Sequence, residues 1–195
     1  MGMAKFPSQA SIESFDFSCS ELDKSEILSL AKCDWIASHE NVLFYGQPGL
    51  GKTHLAIALG KKAIVDKGYS VKFISANDLM AGLEQARQQK AVDDYLRLIN
   101  RADLIIVDEF GYPLMENPPS YAALFYAFIS SRYEKKRAPS SQPTAQSLTG
   151  PGIWAMTKNA AAQFLTASCT TQYAYVLRAK VTGRGYEARA IVRQS

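Results

Sequence analysis

Apolar and polar positions alternate along the chain in two different rhythms. Leu22, Ile27, Leu30, Ala31 and Trp35 recur at helical spacing between about residues 20 and 38, and Ser20 with Asp23 resembles a capping box at the start of that stretch. Residues 42–45 (VLFY) form a short apolar run that ends in glycine, as a buried strand does. Residues 52–67 are apolar nearly all round and stop at Gly68, which predicts a helix packed against a sheet and closed by a glycine cap. A strand over residues 69–75 and a helix opening near Asn77 follow. A further helix is marked by Val92, Tyr95, Leu96 and Ile99. Residues 104–107 (LIIV) are the most apolar run of all. Pro118-Pro119-Ser120 then introduces a helix carrying Tyr121, Leu124, Phe125, Phe128 and Ile129. Strands that alternate with helices predict an α/β fold built on a parallel sheet.

The rhythm fails at Ala138. From there to Gln172 the only charged side chain is Lys158; Pro, Ser, Thr, Gln and Ala dominate. Alternation resumes at Tyr173 (YAYVLRAK) and leads into a basic tail with Arg178, Lys180, Arg184, Arg189 and Arg193. The expected organisation is therefore a leading segment at 1–40, a core at 41–137, an irregular segment at 138–172, and a strand with a basic tail at 173–195.

Composition adds mainly exclusions. The 195 residues are 47% hydrophobic and 21% charged, enough for one compact domain. No apolar run reaches membrane-spanning length and no signal peptide opens the chain, so a cytoplasmic protein without membrane attachment is expected. Cys19, Cys33 and Cys169 are far apart, and His39 and His54 are the only histidines, so no zinc site or redox pair is assembled. A net charge of +4 permits weak, non-specific contact with nucleic acid without arguing for it.

The chemistry is concentrated at Gly46-Gln47-Pro48-Gly49-Leu50-Gly51-Lys52-Thr53, which satisfies G-x-x-x-x-G-K-[ST]. A polyphosphate is held by inward-facing backbone N–H groups, and glycines let the chain wrap closely around it. All eight residues are expected to bind nucleotide, ATP or GTP, with ATP preferred. Lys52 reaches the β- and γ-phosphates, and Thr53 offers its hydroxyl to Mg²⁺. The following helix directs its positive end at the anion. Asp108 and Glu109 end the 104–107 run, where ligands bind in open α/β sheets. Asp108 is expected to hold Mg²⁺ through water, and Glu109 to orient or deprotonate an attacking water, so Lys52 and Glu109 are the candidate catalytic residues. The adjacent Glu favours a hydrolase over a simple nucleotide kinase. His54 reads as a structural helix residue, and Phe15-Asp16-Phe17 as an aromatic knot in a polar segment. Lys135-Lys136-Arg137 reads as a solvated helix end, with DNA contact as the minority reading.

Taken together, GQPGLGKTHLAIALG, LIIVDEFGY and ALFYAFISSRYEKK resemble the IstB-like ATP-binding proteins, transposition helpers related to the DnaC helicase loaders. SFDFS and NVLFYG look like that family too. The resemblance runs from about residue 6 to residue 137 and again from Tyr173. It implies an AAA+ P-loop NTPase with a three-layer sandwich, which forms homo-oligomers on DNA and assists a partner transposase. It implies the same roles for Lys52, Thr53, Asp108 and Glu109. A DnaC-like helicase loader and an inactive nucleotide-binding remnant are the alternatives.

Two departures from the family shape the expectations. The family has an N-terminal helical region that this chain lacks, which reads as truncation. It also continues with a strand like STIITTN and a helix like TILDRLLHH, which residues 138–172 do not show. Codons compatible with residues 138–150 read SIITTNRPIADW when started at the third base. Codons compatible with residues 162–171 read TILDRLLHH at the same offset, so a shifted frame is the expected cause, with a divergent natural linker as the alternative. The expected consequence is a missing central strand between residues 42–45 and 104–107, together with loss of its polar sensor and of a later arginine. Impaired hydrolysis would follow, and weak, sequence-independent DNA binding is expected from the modest net charge, the basic tail and the absent N-terminal region.

Overall fold

In a computed structural model the described residues are 4–19, 22–38, 40–45, 49–110, 119–134, 152–156, 175–182 and 185–191. In chain order they form α1 (Lys24–Leu30), α2 (Asp34–Ala37), β1 (Asn41–Tyr45), α3 (Lys52–Lys67), β2 (Val71–Ser75), α4 (Ala76–Gln88), α5 (Val92–Ile99), β3 (Leu104–Phe110), α6 (Pro119–Glu134), β4 (Gly152–Met156), β5 (Tyr175–Thr182) and β6 (Gly185–Ile191). The strands make one sheet of order β2-β3-β4-β1-β5-β6. The first four are parallel, and β5 and β6 are antiparallel additions on the β1 side.

The missing central strand was the wrong expectation. β4 lies between β3 and β1 and pairs with both, with Gly152 opposite Asn41 on one side and Ile105 on the other. Its residues, Gly-Ile-Trp-Ala-Met, are a continuous apolar run. A central strand of a parallel sheet needs no polar alternation, and Pro151 precedes its first residue in the sequence. Composition of the whole 138–172 stretch concealed this pentapeptide. Residues 138–151 and 157–172, on which the shifted-frame reading rests, lie outside the described residues, as do Lys135, Lys136 and Arg137.

The sheet divides two hydrophobic layers. Val42, Phe44, Leu104 and Ile106 pack with α1, α2 and the core-facing side of α3. Leu43, Ile105 and Val107 face α4, α5 and α6. Alternate residues of β1 and β3 thus serve opposite layers, which gives the three-layer sandwich its form. The all-round apolar character of α3 has a cause: Leu55, Ala56, Ile57, Ala58, Leu59, Gly60 and Ala63 are all buried. Gly68 closes this helix in the left-handed region at φ 70°.

The helical stretch at 20–38 is two helices rather than one. Asp23 caps α1 by accepting from the Ser25 N–H at 2.8 Å, and Cys33 at φ 60° separates α1 from α2. Trp35, 1% exposed, donates its indole N–H to the Leu30 carbonyl at 2.9 Å and so fastens the two helices across the break. On the opposite layer, Arg132 of α6 is 4% exposed and donates to the Ala102 and Asp103 carbonyls, each at 3.1 Å. It ties α6 to the start of β3. Burial pushes its guanidinium down to about 10 despite the charge of Asp103. Among the described residues, no helix is long and apolar enough to cross a membrane.

Candidate nucleotide site

The parallel strands β1 and β3 run in the same direction and end side by side with β4 between them, so Tyr45, Asp108 and the start of α3 share one edge of the sheet. Ligands of open α/β folds bind at that edge. Gly49 at φ 84° and Gly51 at φ 76° occupy the left-handed backbone region, and Gly51 turns the chain into α3. Its carbonyl accepts the Leu55 N–H at 3.0 Å, the first hydrogen bond of that helix. The N–H groups of the first turn of α3 have no partner within the helix and carry its positive dipole end. Gly46, Gln47 and Pro48 lie outside the described residues.

Lys52 and Thr53 are the first two residues of α3, and both are half-buried. Thr53 donates its hydroxyl to Asp108 Oδ1 at 2.9 Å, across 55 positions of sequence. Asp108 is 8% exposed and stands in register with Ser75 of β2. Burial lowers the Lys52 ammonium from its ordinary value, and the nearby Asp108 charge acts in the opposite direction. Three of the four charged or hydroxyl-bearing candidates, Lys52, Thr53 and Asp108, are therefore brought together by the fold.

Glu109 is placed differently. It is exposed, with φ 56°. Between the pairs Val107–Trp154 and Phe110–Met156, β3 holds two residues and β4 only one, so Asp108-Glu109 forms a bulge. A left-handed non-glycine residue costs about 1–2 kcal/mol, and bulges re-aim side chains at strand ends. The register shift breaks the alternation that would otherwise send Glu109 toward the α4–α6 layer, where Ile105 and Val107 lie.

Sequence reasoning assigned no role to the leading segment, yet residues 11–17 lie against the start of α3. His54 Nε2 sits 2.7 Å from the Ser11 carbonyl, and the Phe15 ring packs against both His54 and Gly51. The available signal was the aromatic knot itself, conspicuous within a polar stretch. Among the described residues no cluster of three or more His, Cys, Asp or Glu side chains is arranged to hold a metal ion. Any cation here would share its shell with phosphate oxygens and water.

The comparisons agree with this architecture. The ATP-binding protein of insertion sequence IS21 from Pseudomonas aeruginosa is 39% identical over 133 residues, covering 68% of this chain and 49% of that protein. Its counterpart in IS5376 from Geobacillus stearothermophilus is 38% identical over 133 residues, covering 68% and 52%. The chain thus spans about half the length of the curated relatives it matches. Among solved structures, the DnaC helicase loader is similar with a TM-score of 0.59 at 18% identity, over 84% of this chain and 86% of that one. AMPPCP-bound DnaA from Aquifex aeolicus gives 0.59 at 19%, over 85% and 47%. These two likenesses establish the AAA+ P-loop fold. The model of the family described as IstB-like ATP binding protein matches residues 1–140 and not the stretch from Tyr173; with the P-loop helix and the Asp108 strand inside that match, the chain belongs to this family.

Proposed function

We propose that this chain binds ATP with Mg²⁺ at the edge formed by the 46–53 loop, α3 and β3, and that it serves an insertion sequence by regulating a partner transposase on DNA. The observation that carries the nucleotide reading is the Thr53–Asp108 hydrogen bond at 2.9 Å, with Lys52 half-buried beside it. A hydroxyl and a carboxylate are hard oxygen donors, and such a pair suits Mg²⁺, which takes one or two protein oxygens and completes its shell from phosphate and water. Thr53 and Asp108 would hold the ion. When bound, it neutralises charge on the β- and γ-phosphates.

The chain's own groups divide the remaining work. Lys52 supplies a point charge to the phosphates, and the N-terminus of α3 supplies N–H donors. Glu109, re-aimed by the bulge, orients the attacking water and accepts its proton. The expected impairment of hydrolysis rested on a missing central strand together with the loss of its polar sensor and of a later arginine. β4 fills the slot and removes the first of these grounds, while its five residues are all apolar, so impaired hydrolysis is still expected from the other two. Thr157, the next residue, lies outside the described residues.

Support for the transposition role is the family and the insertion-sequence origin of the relatives. DNA contact, homo-oligomer formation and the transposase partner belong to the same proposal. Calorimetric titration with Mg-ATP tests the site. Lys52→Ala is expected to weaken binding by about tenfold or more, since a charge-assisted contact to phosphate is worth well over 1 kcal/mol. Glu109→Gln is expected to bind normally and to lose about a hundredfold in any turnover. Equal ATP affinity with and without the Lys52 ammonium would remove the assignment. The partner role is tested by co-purification with an insertion-sequence transposase, with ATP present and absent; no co-purification in either condition would remove it.

A further inference from the structure

The leading segment is fastened to α3 at several points. Lys61 Nζ donates to Gln9 Oε1 at 3.1 Å, and Lys62 pairs with Glu13 at 3.8 Å. His54 Nε2 lies 2.7 Å from the Ser11 carbonyl, which can only accept, so this ring nitrogen carries the proton and donates. Ser11 and Ser14 close the turn on themselves: the Ser14 N–H reaches Ser11 Oγ at 3.2 Å, and Ser14 Oγ donates to the Ser11 carbonyl at 3.0 Å. Ile12 anchors the turn in the core at 5% exposure.

This fastening delivers one ring to one place. Phe15 has Phe17 edge-on at 4.8 Å between centroids and His54 at 5.5 Å, and its third neighbour is the backbone of Gly51. A Cβ built on Gly51 would lie 2.5 Å from Phe15 Cε2. Gly51 is thus required by its φ of 76°, and a Cβ there would also displace the Phe15 ring. Gly51 is also the residue through which the phosphate loop becomes α3.

We infer that Phe15 is a positioning residue for the phosphate site, and that the His54–Ser11 hydrogen bond holds it there. By closing one side of the Gly51 turn, the ring keeps the N–H groups of residues 51–53 aimed for an anion before any nucleotide arrives. Preorganisation of this kind raises affinity by removing an ordering cost from the binding step. Phe15 acts through Gly51 and needs no contact with the nucleotide. The inference rests on the nucleotide reading above.

The test uses the full chain, a fluorescent N-methylanthraniloyl-ATP titration, and hydrogen exchange in the nucleotide-free protein. Phe15→Ala is expected to weaken binding about tenfold and to speed exchange at the amides of residues 51–53, with those of β3 and α4 unchanged. Phe15→Met, which keeps an apolar reach of similar length, is expected to restore affinity to within about threefold. If Phe15→Ala fails to fold, His54→Ala is read in its place, with a loss of about three- to fivefold and the same local exchange signature. A folded variant with full affinity and unchanged exchange overturns the inference. Weaker binding without faster exchange at 51–53 overturns it too, because Phe15 would then be touching nucleotide directly. Lys52→Ala in the same assay separates the two readings. If it binds as tightly as the unaltered chain, the nucleotide site itself is wrong. If it binds weakly while the Phe15 and His54 variants bind fully, only the positioning role fails.

Discussion

Thr53→Val exchanges a hydroxyl for a methyl of nearly the same shape and removes a donor that joins α3 to the end of β3. Asp108 is 8% exposed, so little water can replace the lost donor at its Oδ1. A hydrogen bond to a charged group contributes about 1.5–3 kcal/mol, and the neighbouring Lys52 charge offsets part of the loss, so about 2 kcal/mol of stability should disappear from the nucleotide-free protein. The consequence for binding is selective. With Mg²⁺ present, ATP affinity should fall about tenfold or more, equivalent to about 1.4 kcal/mol or more. In EDTA the unaltered chain and the variant should agree within about twofold, because the hydroxyl serves the cation and not the phosphate. Urea denaturation gives the first number, and titrations with fluorescent ATP in the two buffers give the second. An equal loss of affinity with and without Mg²⁺ would mean that Thr53 only shapes the loop, and the cation assignment would fail. Undiminished stability in the nucleotide-free variant would refute the argument from the buried carboxylate.

Three further outcomes follow from the packing. Trp35→Phe removes one of the two donors at the Leu30 carbonyl, which keeps the Cys33 N–H at 2.9 Å, and leaves a small cavity between α1 and α2, so denaturation should show a loss of about 1–2 kcal/mol. Gly82→Ala should cost about 1–2 kcal/mol, because a Cβ there meets the Tyr95 hydroxyl and ring and overpacking outweighs the helix propensity of alanine; in a Tyr95→Ala background the same change should become stabilising. Cys33 is fully buried, and burial, followed by the Asp66 charge, pushes its thiol from 9.0 up to about 11. The folded chain therefore keeps a proton that the unfolded chain releases between those values, and the stability this confers below pH 9 is lost as pH rises through 11. Denaturation at both limits should show an alkaline loss shallower by about 2–3 kcal/mol in Cys33→Ala, and an equal slope in the two proteins would contradict it.

Local signals carried much of this protein. The stop of α3 at Gly68, the apolar β1 and β3 runs and the tight glycine turn at Gly49 and Gly51 each follow from backbone geometry or nearest-neighbour chemistry, which a sequence records directly. The acidic pair at the end of the most apolar run also marked the edge of the sheet, because a parallel strand presents its C-terminal end to ligands. What the sequence left undecided depends on residues far apart in the chain. Whether Thr53 meets Asp108 is a matter of how α3 packs on β3, 55 positions later. Glu109 escapes strict alternation only because β4 pairs with one residue fewer across the bulge, a register that no local pattern encodes. Phe15 acquires its neighbour at Gly51 through a turn held by Ser11, Ser14 and His54. β4 shows the same division most sharply. Gly-Ile-Trp-Ala-Met is too short and too uniformly apolar to announce a strand within a polar segment, and it becomes one because β1 and β3 offer unpaired backbone on either side. Backbone groups there must find partners or lose about 1–3 kcal/mol each, so the vacant slot in the sheet, more than the propensity of the five residues, selects their structure.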